Sequence, residues 1–329
     1  MNLSNINMKF SGLENLGNTC FLNSCIQIMS NTEELNNFLN TLNKVKDLDD
    51  AIILKEYNGL RKMMNDNNVI SPKRFIYYIH QVSRKKGRTL FSGYEQNDMM
   101  EFMNFLLDCI HNSISRPISV NITGTPKHDK DNLAIVCYKY IKEVYEKEYS
   151  EIMEIFYGVY VSEIKSIKGK TYSCKPEYYS TLDLPINETT QTIYDCFDLF
   201  TQSEEISDYR NDKTNKIETV YKNMSFWNFP KILILCLKRY TNNGKKKHKV
   251  IECPDTIDLS GYLKGYNVNN KYDLYAVCNH IGGVMGGHYT CYIKRNNVWF
   301  HINDDKIGIL KENVISSKSY CLFYRKKNN

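Results

Sequence analysis

Chemistry is first visible in this sequence at Asn15-Leu16-Gly17-Asn18-Thr19-Cys20. A Gly- and Asn-rich turn delivers a cysteine onto the start of a predicted helix, Cys20–Met29. Its apolar residues at 21, 22, 25, 26, 28 and 29 read as buried. The free N–H groups and positive dipole end of a helix favour the thiolate, the form that attacks a carbonyl carbon. The turn's backbone N–H groups and the Asn15 amide suit a developing oxyanion. A structural cysteine at a helix start would look the same, so the reading requires a base.

A thiol with an ordinary pKa near ~8.5 needs help to ionise at neutral pH. Among the 7 histidines, His80 and His111 fit helix surfaces, and His128 and His248 lie in charged loops. His288 differs. It follows Gly286-Gly287 and opens a predicted strand, His288-Tyr289-Thr290-Cys291-Tyr292. Small residues just before it would let a substrate backbone come close. A third group should orient the imidazole and fix its tautomer. The next strand, Trp299 to Asp305, forms a hairpin with the first, and its loop decides the partner. A loop at Arg295–Asn296 sets His288 opposite Asn303. A loop at Asn296–Asn297, which suits positive φ better, sets it opposite Asp305 with Asn303 as the diagonal same-face neighbour. A three-residue loop or a bulge would turn Asp304 toward it. Asn303 is favoured, with Asp304 close by.

The elements that must position these groups change character along the chain. The first half reads as helical, with Asn97–Ile110 carrying Met99, Met100, Phe102, Met103, Leu106, Leu107 and Ile110 on one stripe, and Ile135–Phe156 amphipathic. From about residue 159 strands dominate: Val159–Ile167, Lys231–Tyr240, Tyr272–Val277 and His288–Ile293, separated by turn signals at Gly244, Gly261 and Gly282–Gly283. No internal repeat or long linker interrupts them. An α+β architecture follows, a helical lobe preceding a mostly antiparallel sheet lobe, with a site expected in a cleft between them.

The chain has 329 residues, 42% of them hydrophobic, enough for a real core. No apolar run approaches the roughly 18 residues of a membrane span, and the first ten residues show no secretory signal. No membrane association is expected. The net charge of +6 is spread along the chain, and the one dense run, Lys245 to Lys249, reads as a solvated hairpin loop. No nucleic acid partner is therefore expected. There are 11 cysteines, an odd number that argues for a reducing compartment, cytoplasmic or nuclear, over a disulfide framework. No two stand three apart, so no CxxC metal spacing exists. Abundant Asn, Lys, Ile and Tyr suit an AT-rich genome, such as that of a large DNA virus or a protist.

Gly12 through Ser24 closely resembles the cysteine box of the ubiquitin-specific proteases, and Gly286-Gly287-His288-Tyr289 with Trp299 through Asp304 resembles their histidine box. Gly93 through Phe102 is similar to the Q-Q-D-A-x-E-F segment, Ile234 through Tyr240 to the L-K-R-F strand, and Tyr320 through Tyr324 to the closing Y-x-L-F-Y strand. The boxes occur in the family's order. The resemblance implies a papain-like cysteine protease fold with a helical thumb and antiparallel β palm and fingers. One catalytic domain would cover 11–326: thumb to about 157, fingers and part of the palm to about 240, then palm, with short tails at 1–10 and 327–329.

It also implies a thiol-dependent deubiquitinase that hydrolyses bonds to the C-terminal glycine of ubiquitin through a thioester. Cys20 would be the nucleophile, His288 the base and acid, Asn303 the orienting residue with Asp304 supporting, and Asn15 the oxyanion donor. Asp98 and Glu101 would face the two arginines of ubiquitin's tail. Gln96 belongs to the same box, and Tyr289, Gly286 and Gly287 would wall the channel for the Gly-Gly end. Many members hold zinc at the fingertips through two CxxC pairs, which should fall near Ile164–Lys170 and Tyr221–Phe226; both stretches lack cysteine. The expectation is a monomer without cofactor or metal, its fingers held by strand pairing and by Phe226, Trp227 and Phe229. An inactive ubiquitin-binding scaffold, or a protease for another ubiquitin-like modifier, is the competing reading.

Overall fold

The computed structural model describes residues 10–66, 68–211, 214–241, 243–283 and 286–327. Most of the expected tails, 1–10 and 327–329, therefore lies outside the described residues. The helices are α1 (Cys20–Ser30), α2 (Glu33–Thr41), α3 (Asp49–Met63), α4 (Lys73–Lys85), α5 (Met99–Ile114), α6 (Asp129–Glu148), α7 (Glu151–Phe156) and α8 (Ile193–Thr201). The first strands are β1 (Gly158–Ser166), β2 (Thr171–Tyr179), β3 (Thr181–Leu184), β4 (Glu204–Arg210), β5 (Ile217–Asn228) and β6 (Ile232–Leu237). The later ones are β7 (Thr256–Asp258), β8 (Lys271–Gly283), β9 (Gly286–Arg295), β10 (Val298–Asn303), β11 (Lys306–Ile309) and β12 (Ser319–Lys326).

Two compact units emerge, each discontinuous in sequence. The first comprises residues 1–115, 239–250 and 275–323, and the second 116–238, 251–274 and 324–329. In the first unit α1 is buried along its length, from Cys20 to Met29, and packs on α5 and β9. Burying Leu22, Ile26 and Ile28 contributes roughly 1.5–3 kcal/mol apiece before conformational entropy is counted. The polar residues of α1 find partners: Gln27 Nε2 donates to the Ser11 carbonyl at 2.8 Å, and Asn23 Nδ2 reaches Asp304. The strands run in the order β11-β10-β9-β8-β12. The β9–β10 loop is Asn296–Asn297, with φ of 47° and 60°, and Arg295 pairs with Val298. Two left-handed residues match the twist of a tight hairpin, and asparagine tolerates that conformation.

Helix ends differ from those the apolar pattern suggests, for local reasons. α5 starts at Met99, not Asn97, because the Asp98 carboxylate caps it, accepting from Met100 N at 2.8 Å and Glu101 N at 3.1 Å. The single helix expected over 135–156 is two. α6 begins at Asp129, where Asp131 accepts from His128 N, and the chain turns extended at Tyr149–Ser150 before α7.

In the second unit a four-stranded antiparallel sheet runs β2-β1-β5-β4, and β3 pairs parallel with β6. Phe226 contacts Phe229 and Phe200 with ring centroids 4.7 and 5.5 Å apart, and Trp227 meets Tyr138 edge-on at 5.4 Å. At the far end of the sheet, the Glu218 carboxylate accepts from Tyr172 Oη at 2.8 Å and from Asn211 Nδ2 at 2.7 Å. One acid thus ties β2, β5 and the segment after β4. Among the described residues no group of three or more His, Cys, Asp or Glu side chains is placed to hold a metal ion. None of the described helices is long and apolar enough to cross a membrane.

Candidate active site

Every residue the sequence singles out for chemistry belongs to the first unit. The loop before Cys20 is shaped by Asn15, whose Oδ1 accepts from Gly17 N at 3.1 Å, Thr19 N at 3.2 Å and Thr19 Oγ1 at 3.3 Å. Gly17 and Asn18 are left-handed, with φ of 98° and 55°. Cys20 follows as the first residue of α1 and is 4% exposed. Burial raises its thiol pKa, and the Asp304 carboxylate adds to the rise. The N–H groups of Tyr289, Phe21 and Cys20 oppose both. The helix start does favour the anion, as its position suggests, but desolvation outweighs it, so the resting group is the thiol.

The Tyr289 N–H at the sulfur brings β9 to α1 one residue from His288. His288 Nε2 lies 2.6 Å from Asn303 Oδ1. A carboxamide oxygen only accepts, so the imidazole proton sits on Nε2 and Nδ1 carries the lone pair. The pairing ends at Ile302–Cys291, so Asn303 reaches His288 from the diagonal position that the Asn296–Asn297 loop implies. Asp304 turns away. Its φ is 52°, and its carboxylate accepts from Asn15 Nδ2 at 2.9 Å and Asn23 Nδ2 at 2.8 Å. Its carbonyl accepts from Leu13 N at 3.0 Å. The turn presses on Gly12, where a Cβ would stand 2.4 Å from the Asp305 oxygen.

Of the remaining candidates, Gln96, Asp98, Gly286, Gly287 and Tyr289 line, with Cys20, a channel of about 250 Å3, and Glu101 does not. Gln96 Oε1 accepts from Gly287 N at 2.6 Å, and its Nε2 faces Asn18 Oδ1 at 3.3 Å, so this side chain joins the glycine strand to the cysteine loop. The pair Asp98 and Glu101 departs from expectation. Besides its two helix-capping bonds, Asp98 accepts through Oδ2 from Tyr289 Oη at 3.0 Å and Tyr320 Oη at 2.8 Å. Those four donors fill the carboxylate, so Asp98 is an internal anchor and Glu101 is the acid of the pair open to solvent.

A profile of the family described as ubiquitin carboxyl-terminal hydrolase matches residues 11–324. The chain belongs to the ubiquitin carboxyl-terminal hydrolase family. It is similar to ubiquitin carboxyl-terminal hydrolase 2 of Bos taurus (31% identity over 342 residues, 95% of this chain and 54% of the relative). The human protein of that name is likewise 31% identical over 345 residues, again 95% and 54%. Human ubiquitin carboxyl-terminal hydrolase 21 is 29% identical over 355 residues, 95% and 61%. The chain spans about half the length of the curated relatives it matches first. The fold is that of the SAGA Ubp8/Sgf11/Sus1/Sgf73 DUB module bound to ubiquitin aldehyde, at TM-score 0.74 and 22% identity, covering 97% of this chain and 70% of that one. It is therefore the α+β, papain-like fold expected from the boxes.

Three residues of this family member's channel escape the sequence reading. His280, Tyr240 and Tyr320 line it beside Cys20. His280 Nδ1 lies 2.6 Å from Tyr240 Oη and 3.2 Å from Lys246 Nζ. The one available signal was a polar pair, Asn279-His280, inside the otherwise buried run of β8. The basic run is solvated at Lys245 and His248 but is tied down between them and beyond. Lys246 Nζ donates to the His280 carbonyl at 2.7 Å, and the carbonyls of Lys247 and Lys249 receive the fully buried Arg239 guanidinium at 3.1 and 2.7 Å.

Proposed function

We propose that this chain is a thiol-dependent deubiquitinase acting on isopeptide or peptide bonds at the C-terminal glycine of ubiquitin. The observation that carries this reading is the 2.6 Å bond from His288 to Asn303, on a strand whose next residue touches the Cys20 sulfur. With Nε2 committed to Asn303, the free lone pair on Nδ1 is the base for the thiol. Because the thiol is held neutral, proton transfer to His288 accompanies attack on the glycine carbonyl. One N–H of the Asn15 amide is taken by Asp304, which aims the group; the other serves the oxyanion with the N–H groups at the start of α1. His288 then protonates the leaving amine, a thioester forms on Cys20, and water activated by His288 releases the glycine carboxylate. Asn303 orients the ring without adding a charge, and Glu101 meets the basic tail.

The test is incubation with ubiquitin bearing a C-terminal thiol-reactive warhead, beside the matching probes of other ubiquitin-like modifiers. The expected result is a covalent adduct with the ubiquitin probe that Cys20→Ala abolishes. No adduct from the wild-type chain overturns the reading, and labelling only by another modifier's probe reassigns the substrate.

A further inference from the structure

One face of α4 stays in solvent. Lys73, Tyr77, His80 and Arg84 recur along it at helical spacing and form a single stripe, while Phe75, Ile76, Ile79 and Val82 are buried. Tyr77 is 57% exposed, and Lys73 and Arg84 are exposed on either side of it. The stripe continues onto the loop before α5, where the Tyr94 ring, 65% exposed, meets His80 edge-on at 5.4 Å between centroids. Burial first, and then the charge of Arg84, lower the pKa of His80, so its ring is an aromatic surface and not a third cation. Tyr94 also lies against the cysteine loop: a Cβ on Gly17 would stand 3.8 Å from its ring, and Asn18 Nδ2 donates to its carbonyl at 3.0 Å. It does not line the channel beside Cys20. All of these residues belong to the first compact unit.

Charge narrows what this surface can hold. From Asn68 to Tyr94 the chain has no Asp or Glu but carries Lys73, Arg74, Arg84, Lys85, Lys86 and Arg88. Acids from other helices answer four of these cations: Glu56 meets Arg74 at 2.8 Å, Asp49 and Asp50 meet Lys85 and Lys86 at 2.6 Å, and Asp108 meets Arg88 at 3.4 Å. Among the described residues Lys73 and Arg84 have no acidic partner, Arg84 donating only to the Ser92 carbonyl at 2.9 Å. These two cations bracket the aromatic stripe about 16 Å apart along the helix. An extended chain covers that span in about five residues. The matching partner is an acidic, extended peptide with an apolar side chain between two carboxylates. A nucleic acid draws its affinity from many phosphate contacts, and two open cations supply few. With the glycine-ended tail in the channel, the group that leaves Cys20 is the lysine-bearing chain, and Tyr94 flanks the loop it passes. We infer that Tyr94, His80 and Tyr77, bracketed by Arg84 and Lys73, form a docking surface for an acidic, extended segment of the target protein beside its modified lysine. This rests on the ubiquitin reading above.

The test compares three substrates: ubiquitin with a fluorogenic C-terminal amide, and ubiquitin isopeptide-linked to the lysine of either of two synthetic peptides. One peptide carries two glutamates about five residues apart around a leucine, and the other has glutamine in place of both. The expected result is a kcat/KM about fivefold or more higher for the acidic conjugate. The preference should shrink as salt is raised. Lys73→Glu combined with Tyr77→Ser should abolish it, while the fluorogenic amide, which has no peptide leaving group, is cleaved at the wild-type rate. Equal kcat/KM for the two conjugates in the wild type, or a preference that survives the double substitution, overturns the inference. Binding to an oligouridylate or to phosphatidylserine vesicles, lost in the double variant and unaccompanied by a conjugate preference, reassigns the stripe and also overturns it. A wild-type chain that does not cleave the fluorogenic amide overturns the ubiquitin reading and this inference with it. One that cleaves the amide without distinguishing the conjugates overturns the inference alone.

Discussion

Asp304 holds Asn15: the side-chain amide of Asn15 donates to the Asp304 carboxylate at 2.9 Å, although the two lie 289 positions apart in the chain. The acid that follows Asn303 therefore acts on the cysteine loop, while Asn303 alone meets the imidazole. Two adjacent residues are divided between two tasks by the left-handed turn at Asp304.

This division gives Asp304→Asn opposite effects on two readouts. Burial and then the Asp304 charge raise the Cys20 thiol. Removing the charge should move the pH midpoint of iodoacetamide labelling of Cys20 downward. In the same variant kcat for a ubiquitin amide should fall by about tenfold, part of the ~10²-fold that loss of an oxyanion donor costs. A midpoint that rises or stays fixed would show that Asp304 does not bear on the thiol.

Asn303→Ala should lower kcat by about 10²-fold or more, with KM nearly unchanged, because the His288 ring loses the acceptor that fixes its tautomer. Asn303→Asp supplies the same acceptor and should retain most of the rate. Steady-state kinetics over pH 6–9 checks both, and equal losses in the two variants would count against the orienting role.

These assignments show what sequence can carry. The hairpin was legible because Asn296-Asn297 is a local turn signal and the strand period then dictates which residues share a face with His288. Cys20 was legible because a turn and a helix start are neighbours in sequence. Asp98 was not, because its two hydroxyl partners, Tyr289 and Tyr320, arrive from strands about two hundred residues away. His280 was hidden for a related reason: nothing local tells a buried strand histidine from one whose ring edge lines a channel. Glu218 carries no local signal, since its partners Tyr172 and Asn211 come from β2 and from the segment after β4.

Asp98 and Glu101 should separate cleanly. Asp98→Ala removes a helix cap and the acceptor of two tyrosine hydroxyls, and should cost about 2–3 kcal/mol in urea unfolding. Glu101→Ala should leave stability within about 0.5 kcal/mol while raising KM for ubiquitin substrates. A stable Asp98→Ala with a raised KM would return that residue to the role of tail acceptor.

In the sheet β2-β1-β5-β4, a chelator should leave the thermal melt of the chain unmoved, whereas Glu218→Ala should destabilise it by about 1–2 kcal/mol through the two donors it abandons. Differential scanning calorimetry with and without EDTA measures both. A melting point lowered by EDTA would require a metal there.

The first compact unit is assembled from residues 1–115, 239–250 and 275–323, and this has a consequence for how the protein comes into being. During translation the Cys20 helix leaves the ribosome early, while His288, Asn303 and Asp304 follow on the order of tens of seconds later at ordinary synthesis rates. The long sequence separation makes closure of this unit a late and slow event. Under the function proposed above, a nascent chain carries the thiol before its base and the clamp on Asn15 exist, and hydrolysis waits until β10 and the turn after it have been made.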